Sequence, residues 1–446
     1  MSLTRSGTVA DAETPPTGSR RAVTVVVGVV FLDLLGFGVV IPILPFYVRS
    51  FGVSDVFIGL LAASYSLAQF LAAPTLGRVS DRYGRRPVIM ASVAAAAVAW
   101  AVFGLAAEVG NLAGTAAAVV TLFASRLLAG AAGGNIAAAQ AYVADVTPDE
   151  RRAGALGLVG AAFALGFVFG PAIGGLAASD AVVAAADGAL PGFVPTTRFS
   201  LPSFTAAGLS LLAFVAAALV LEEPDGVAGG RRTADGRPAG RTSLVGQFRA
   251  ALADGTLRPL VLAFFLASVA FAGIQVMFIP FAADFYGYGA TEAALFLTYI
   301  GVLGTVNQGV LVGRLERRFG AAPLAVAGGV SLATALALLP FTPQVGGLLP
   351  SPGGPAWLDG PLLALLADGA LLSFGNGALT VSLTTLVSRG ASRETQGAAF
   401  GVTQGAGSLG RTVGPPLAAA AYVAAYWSPF VAGAAVLLPA LWLLRR

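Results

Sequence analysis

Twelve apolar runs, each long enough to cross a bilayer, dominate this chain of 446 residues. They fall at roughly 22–47, 56–76, 87–107, 115–143, 153–178 and 201–221, then at 257–283, 292–312, 322–341, 361–388, 396–424 and 427–444. A hydrocarbon core of about 30 Å asks for about 20 apolar residues per helical crossing, and lipid offers the backbone no hydrogen-bond partners. An all-α membrane protein of twelve transmembrane helices is therefore expected. Composition agrees, because 11% of residues are charged where a soluble domain carries about a quarter. A polar stretch containing Glu222-Glu223-Pro224-Asp225 and Gly229-Gly230-Arg231-Arg232 divides the runs six and six and reads as a linker. The expected organisation is a disordered cytoplasmic tail over 1–21, a six-helix bundle over 22–221, a cytoplasmic linker over 222–256 and a second six-helix bundle over 257–446.

What the chain lacks narrows its chemistry. It has no Cys and no His, so thiol nucleophiles are excluded and proton transfer falls to carboxylates. All 26 basic residues are Arg, and without Lys the phosphate-binding GxxxxGK[ST] loop of an ATP-driven pump is impossible. No triad or metal-ligand cluster stands out, so neither an enzyme, a metal site nor a cofactor is expected. A membrane sensor would call for a sizeable soluble domain, and the longest polar segment is the central linker.

The arginines also orient the chain. With the N-terminus on the cytoplasmic side, 22 of them fall on that side, Arg49 and Arg198 fall opposite, and Arg126 and Arg411 lie within apolar runs. This is the positive-inside pattern, and it places both termini in the cytoplasm.

The halves repeat. Gly77-Arg-Val-Ser-Asp81-Arg-Tyr-Gly84-Arg85-Arg86-Pro87 returns as Gly313-Arg-Leu-Glu316-Arg317-Arg318-Phe-Gly320-Ala-Ala-Pro323. Gly134-Asn135 matches Gly375-Asn376, and Gly170-Pro171 matches Gly414-Pro415. Parallel six-helix repeats imply a binding site at their interface, near the bilayer midplane. In the second copy Arg317 stands where Asp81 does and Ala321-Ala322 replace Arg85-Arg86, so the two turns are not equivalent.

Charges inside the runs are candidate functional groups. Asp33 lies about 18 Å beyond Arg21 at 1.5 Å per helical residue, where an ionised carboxylate costs at least a few kcal/mol unless paired or hydrated. Either it carries a proton or a neighbouring polar group satisfies it. Arg126 lies roughly 17 Å deep from the opposite side, so depth allows it to meet Asp33 as a coupling partner or as a static ion pair. Asp368 and Arg411 form a second possible pair in the outer half of the bilayer, structural or facing substrate. Gly77 and Gly84 suit close backbone approach and a tight turn. Gly166, Gly170 and Gly174 give one helix face a flat surface for close packing, and Pro171 removes a backbone donor there.

Several motifs together carry a resemblance to the major facilitator superfamily. Gly77–Pro87 resembles its loop 2–3 signature, and Leu122-Phe-Ala-Ser-Arg126-Leu-Leu-Ala-Gly130 resembles the fourth-helix motif of its drug:proton antiporters. Gly166-Phe-Val-Phe-Gly170-Pro171-Ala-Ile-Gly174-Gly175 is similar to the fifth-helix antiporter motif associated with exporters. Leu32-Asp33-Leu-Leu-Gly36-Phe-Gly38-Val-Val-Ile-Pro42-Ile-Leu-Pro45 is similar to the first helix of the tetracycline-exporter branch. The resemblance implies the major facilitator fold, two pseudo-symmetric six-helix bundles. It implies a plasma-membrane exporter of small, partly apolar compounds, working as a monomer and exchanging substrate for protons. Asp33 would bind the proton and Arg126 tune it. Asp81, Arg85 and Asp145 would lock the inner gate in the outward-open state. Helices 1, 4, 7 and 10 would line the cavity, which brings Asn135, Gln140, Gln275 and Asn376 to the substrate beside Asp368 and Arg411. A sugar, siderophore or metabolite carrier of the same fold is the alternative. No nucleic-acid partner is expected.

Overall fold

The computed structural model describes residues 17–223, 244–349, 358–391 and 396–445. Residues 1–16 of the expected 1–21 tail and residues 224–243 of the expected linker lie outside the described residues, while residues 17–21, expected in the disordered tail, already belong to the first helix. Among those described, twelve long helices run α1 (Thr17–Val40), α2 (Val56–Tyr83), α3 (Arg85–Gly104), α4 (Thr115–Val146), α5 (Asp149–Ala177) and α6 (Ser200–Val220). The second set is α7 (Leu257–Tyr286), α8 (Ala290–Phe319), α9 (Ala321–Gly347), α10 (Gly360–Gly390), α11 (Gln396–Ala424) and α12 (Ser428–Leu444). Ten of them combine the length and apolarity of a membrane crossing. The others are α11, diluted by glycines, Arg411 and hydroxyl side chains, and α12, at 17 residues.

Three features depart from the expected runs, one a shifted boundary, one a turn within a run and one a helix within the linker. The first run does not continue to residue 47: α1 stops at Val40, residues 41–43 turn, and a short helix Leu44–Ser50 follows. Pro42 has no N–H to donate to the preceding turn. In α4 the sequence Gly133-Gly134-Asn135 tightens into a 3₁₀ turn, which re-aims the lower part of the helix. The linker is not all loop, because Leu244–Ala253 forms a helix. The Thr256 and Leu257 N–H groups then donate to Asp254 Oδ1 at 2.8 and 2.9 Å. These backbone bonds, that from Leu257 foremost, hold the exposed Asp254 carboxyl below the ordinary carboxylate range and cap the entry to α7.

The charged stretch is hardly a turn. Helix α2 runs through Tyr83 and α3 resumes at Arg85, leaving Gly84 alone outside helix with φ 106°. Only glycine adopts that backbone at no steric cost, and a Cβ there would meet the Glu223 carboxylate at 2.7 Å. That carboxylate accepts from the Arg85 and Arg86 N–H groups at 2.5 and 2.8 Å, filling the positive N-terminus of α3. The break repeats at Gly320, φ 88°. Gly77 behaves differently from expectation: it sits inside α2 with nothing within 4 Å of where a Cβ would stand.

The glycine face of α5 packs on α1. A Cβ on Gly170 would reach Gly38 Cα at 2.6 Å, and one on Gly174 would run into the Val39 carbonyl oxygen. The second half repeats this arrangement, with Gly414 of α11 against Val269 of α7. Between the halves, α2 meets α11 where Gly59 abuts Pro415, and α5 meets α8 where Thr291 Oγ1 donates to the Gly175 carbonyl at 3.1 Å. These inter-half contacts lie toward the face opposite the arginine-rich one.

Candidate functional site

A cavity of about 1440 Å³ separates the two halves. It runs from Leu44 and Pro45, through Phe37, Tyr65, Arg126, Gln275 and Arg411, to Gly77, Arg78, Asp81 and Arg85 at the arginine-rich face. At the opposite face the halves are tied together. The Arg49 guanidinium donates to Asp55 of its own half at 2.6 and 2.8 Å and to Asp284 of the other half at 2.7 and 2.9 Å. Tyr422 Oη donates to Asp284 Oδ2 at 2.7 Å. The cavity is thus open along the side where the arginines gather and closed on the other.

Arg126 is 5% exposed and is held by rings rather than by an acid. Its guanidinium carbon lies 4.7 Å from the Tyr65 ring centroid, 5.6 Å from Phe37 and 5.7 Å from Trp100. Desolvated cation–π contacts of this kind are worth about 2 kcal/mol. The Nε atom has no hydrogen-bond partner. Asp33 makes no ion pair with Arg126 among the described residues, and its carboxyl sits instead beside the Asn135 side chain. The pairing that depth allows is therefore not formed. Ascent along a helix fixes depth, whereas pairing also needs matching azimuth.

Asp368 and Arg411 do not pair either. Both Asp368 carboxyl oxygens are buried without a hydrogen-bond partner, while Arg411 faces the cavity and donates to Ser408 Oγ at 3.0 Å. Of the expected cavity residues, Gln140, Gln275 and Arg411 line it. Asn135, Asn376 and Asp368 do not: the 3₁₀ turn draws Asn135 toward Asp33, and α10 packs inward on α8 and α9 rather than on the cavity.

Arg85 gathers the acids of its own half. It donates to Asp81 Oδ1 at 2.6 Å, to Asp145 Oδ2 at 3.1 Å and to Ser80 Oγ at 3.0 Å. All of these bonds join α2, α3 and α4, and they are in place while the cavity reaches Asp81 and Arg85. An inner-gate lock that forms only when this face is shut is therefore not what these contacts describe. Among the described residues no group of three His, Cys, Asp or Glu could hold a metal ion.

Residues 26–357 match the model of the Major Facilitator Superfamily. The chain belongs to that superfamily. As a member, it is 31% identical over 435 residues to the tetracycline resistance protein, class C, of Escherichia coli, covering 96% of this chain and 97% of the relative. It is 27% identical to multidrug resistance protein 1 of Bacillus subtilis (strain 168), over 88% of this chain and 87% of that one. Among solved structures, the human organic anion transporter MFSD10 (TETRAN) aligns with a TM-score of 0.64 at 24% identity, over 97% of this chain and 100% of that one. Superfamily membership makes this a multi-pass membrane transporter, not an enzyme, with the major facilitator fold in place as expected.

The residues that sequence reasoning missed carry weak sequence signals. Arg49 and Asp284 stand 235 positions apart, and each looks like an ordinary charge just beyond or at the end of an apolar run. Tyr65 and Trp100 read as two aromatics among many. Only the fold brings them to Arg126.

Proposed function

We propose that this protein exports small, partly apolar compounds, drug-like or tetracycline-like, in exchange for protons by alternating access. The single observation that supports it best is the large central cavity between two repeated halves, passing Arg126 and Tyr65 at mid-depth, with the acid Asp33 of α1 acting on that same Tyr65. The tetracycline and multidrug resistance relatives give the substrate class. Asp33 is the proton-carrying acid: its ionised form is costly at mid-membrane depth, so proton uptake and release there is linked to which face the cavity opens. Arg126 sets the local potential across the Tyr65 ring. Asp81, Arg85 and Asp145 hold the arginine-rich ends of α2, α3 and α4 together as one moving gate. Gly166, Gly170, Pro171 and Gly174 let α5 ride closely on α1, and Gln140, Gln275 and Arg411 face the substrate. Residues 22–221 and 257–446 act as the two rocking units, joined by 222–256. The protein works as a monomer in the plasma membrane with both termini in the cytoplasm and the proton as its coupling ion.

Proteoliposomes with an imposed pH gradient test this reading. Tetracycline should accumulate against its gradient with wild-type protein, whereas Asp33→Asn should still bind the drug yet fail to accumulate it. Full proton-driven accumulation by Asp33→Asn removes the aspartate from the mechanism, and indifference of the wild type to pH on either side removes proton exchange.

A further inference from the structure

We propose that the cavity selects amphipathic organic anions, gripping the acidic group between Arg126 of the first half and Arg411 of the second. This names the substrate class of the transport site proposed above. Among the described residues, five charged side chains line the cavity: Arg78, Asp81, Arg85, Arg126 and Arg411. At the arginine-rich mouth Asp81 and Arg85 bond each other and Arg78 donates to Thr75. Deeper in, the charged lining among the described residues consists of Arg126 and Arg411.

Neither of these two has a carboxylate partner among the described residues. The rings around Arg126 take the faces of its guanidinium, while its N–H donors lie in the plane and its Nε goes unused. Arg411 spends one donor on a serine hydroxyl. Asp33, Arg126 and Arg411 all bear electrostatically on Tyr65, so the two guanidiniums reach one region of the cavity, beside the acid that carries the exchanged proton. Arginine's planar fork fits a carboxylate or sulfonate better than any other side chain does. An unpaired guanidinium as buried as that of Arg126 is costly at this depth, Arg411 stands exposed to the cavity, and an anion can answer both. Phe37, Phe163, Phe167, Val276 and Phe400 surround the region with apolar surface for the rest of the molecule. A cation would meet two like charges there.

The test is equilibrium binding to the full chain in zwitterionic nanodiscs, read by energy transfer from tryptophan, since Trp100 stacks beside Arg126. The probes are 8-anilinonaphthalene-1-sulfonate and N-phenyl-1-naphthylamine, the same ring system without the sulfonate. Wild type should bind the sulfonate at least about tenfold more tightly, the worth of one charge-assisted hydrogen-bonded contact. Arg411→Gln should weaken the sulfonate about ten- to a hundredfold and leave the neutral probe unchanged, with Arg411→Lys restoring part of the loss. Equal affinities for the two probes, or a preference that survives Arg411→Gln, overturns the proposal. Gradient-driven flux separates this from the exporter reading. Transport of tetraphenylphosphonium without anion preference leaves the exporter standing and removes the anion site. Selective sulfonate binding without any gradient-driven flux does the reverse.

Discussion

Gly77 and Gly84 belong to one charged stretch, yet their surroundings ask opposite things of a side chain. Gly77 is helical with open space around its missing Cβ, whereas Gly84 holds φ 106° and has the Glu223 carboxylate pressed against it. Alanine at 77 removes the entropy penalty of a mid-helix glycine, a gain of about 0.5–1 kcal/mol. At 84 it meets a left-handed backbone and displaces the cap of α3, a loss of about 1–3 kcal/mol. Thermal unfolding of the two variants in detergent should therefore move in opposite directions. Equal shifts would mean that the two glycines serve one common purpose. The same reasoning explains what the residues alone disclose: a glycine's presence is visible in the sequence, but whether it answers to φ, to a neighbour or to neither is not.

At the scale of elements, three helices meet at one guanidinium, and burial decides which bond matters. Asp81 gives Arg85 its shorter contact, 2.6 Å, but is 31% exposed. Asp145 is 3.1 Å away and only 8% exposed, against 6% for Arg85 itself. Water weakens the first pair to about 0–1 kcal/mol, while removing a partner from a buried pair costs about 3–5 kcal/mol. Asp145→Asn should thus lower the unfolding temperature far more than Asp81→Asn, despite the longer distance. A larger effect at Asp81 would show that contact length outweighs burial at this junction. The helices themselves were legible, because twelve long apolar runs have few other fates in lipid, and the motif glycines of α5 pack as their spacing implies. What stayed hidden was azimuth. A membrane helix that is apolar all round carries little amphipathic signal, so counting residues placed Asp33 and Arg126 at one depth without revealing that rings, not the acid, surround the guanidinium. The possible pairing of Asp368 with Arg411 is absent for the same reason, although Arg411 does line the cavity. The one-residue breaks at Gly84 and Gly320 were obscured because charge looks like loop, although arginines at a membrane surface extend helices readily.

At the scale of the whole molecule, the Arg49–Asp284–Tyr422 network is the part of the structure that joins the halves by charge on the closed face. Its members come from three separated segments, Leu44–Ser50, α7 and α11, so it can persist only while that face stays shut. Arg49 and Asp284 are 28% and 39% exposed, which limits the pair to about 1 kcal/mol. That is still enough to change the ratio of two conformations about fivefold. Since the chain has no native cysteine, spin labels can be placed without background at Ser54→Cys and Ala424→Cys, exposed positions on the closed face of opposite halves. In wild type the distance distribution should be dominated by its short component. Asp284→Asn and Arg49→Gln should each feed a longer component, because the closed face loses its bond and the opposite opening gains population. The double variant should add little to either single change, since one bridge is lost in all three. A distribution that remains short in every variant would mean that packing of Gly59 on Pro415 and of Thr291 on Gly175 holds this face unaided.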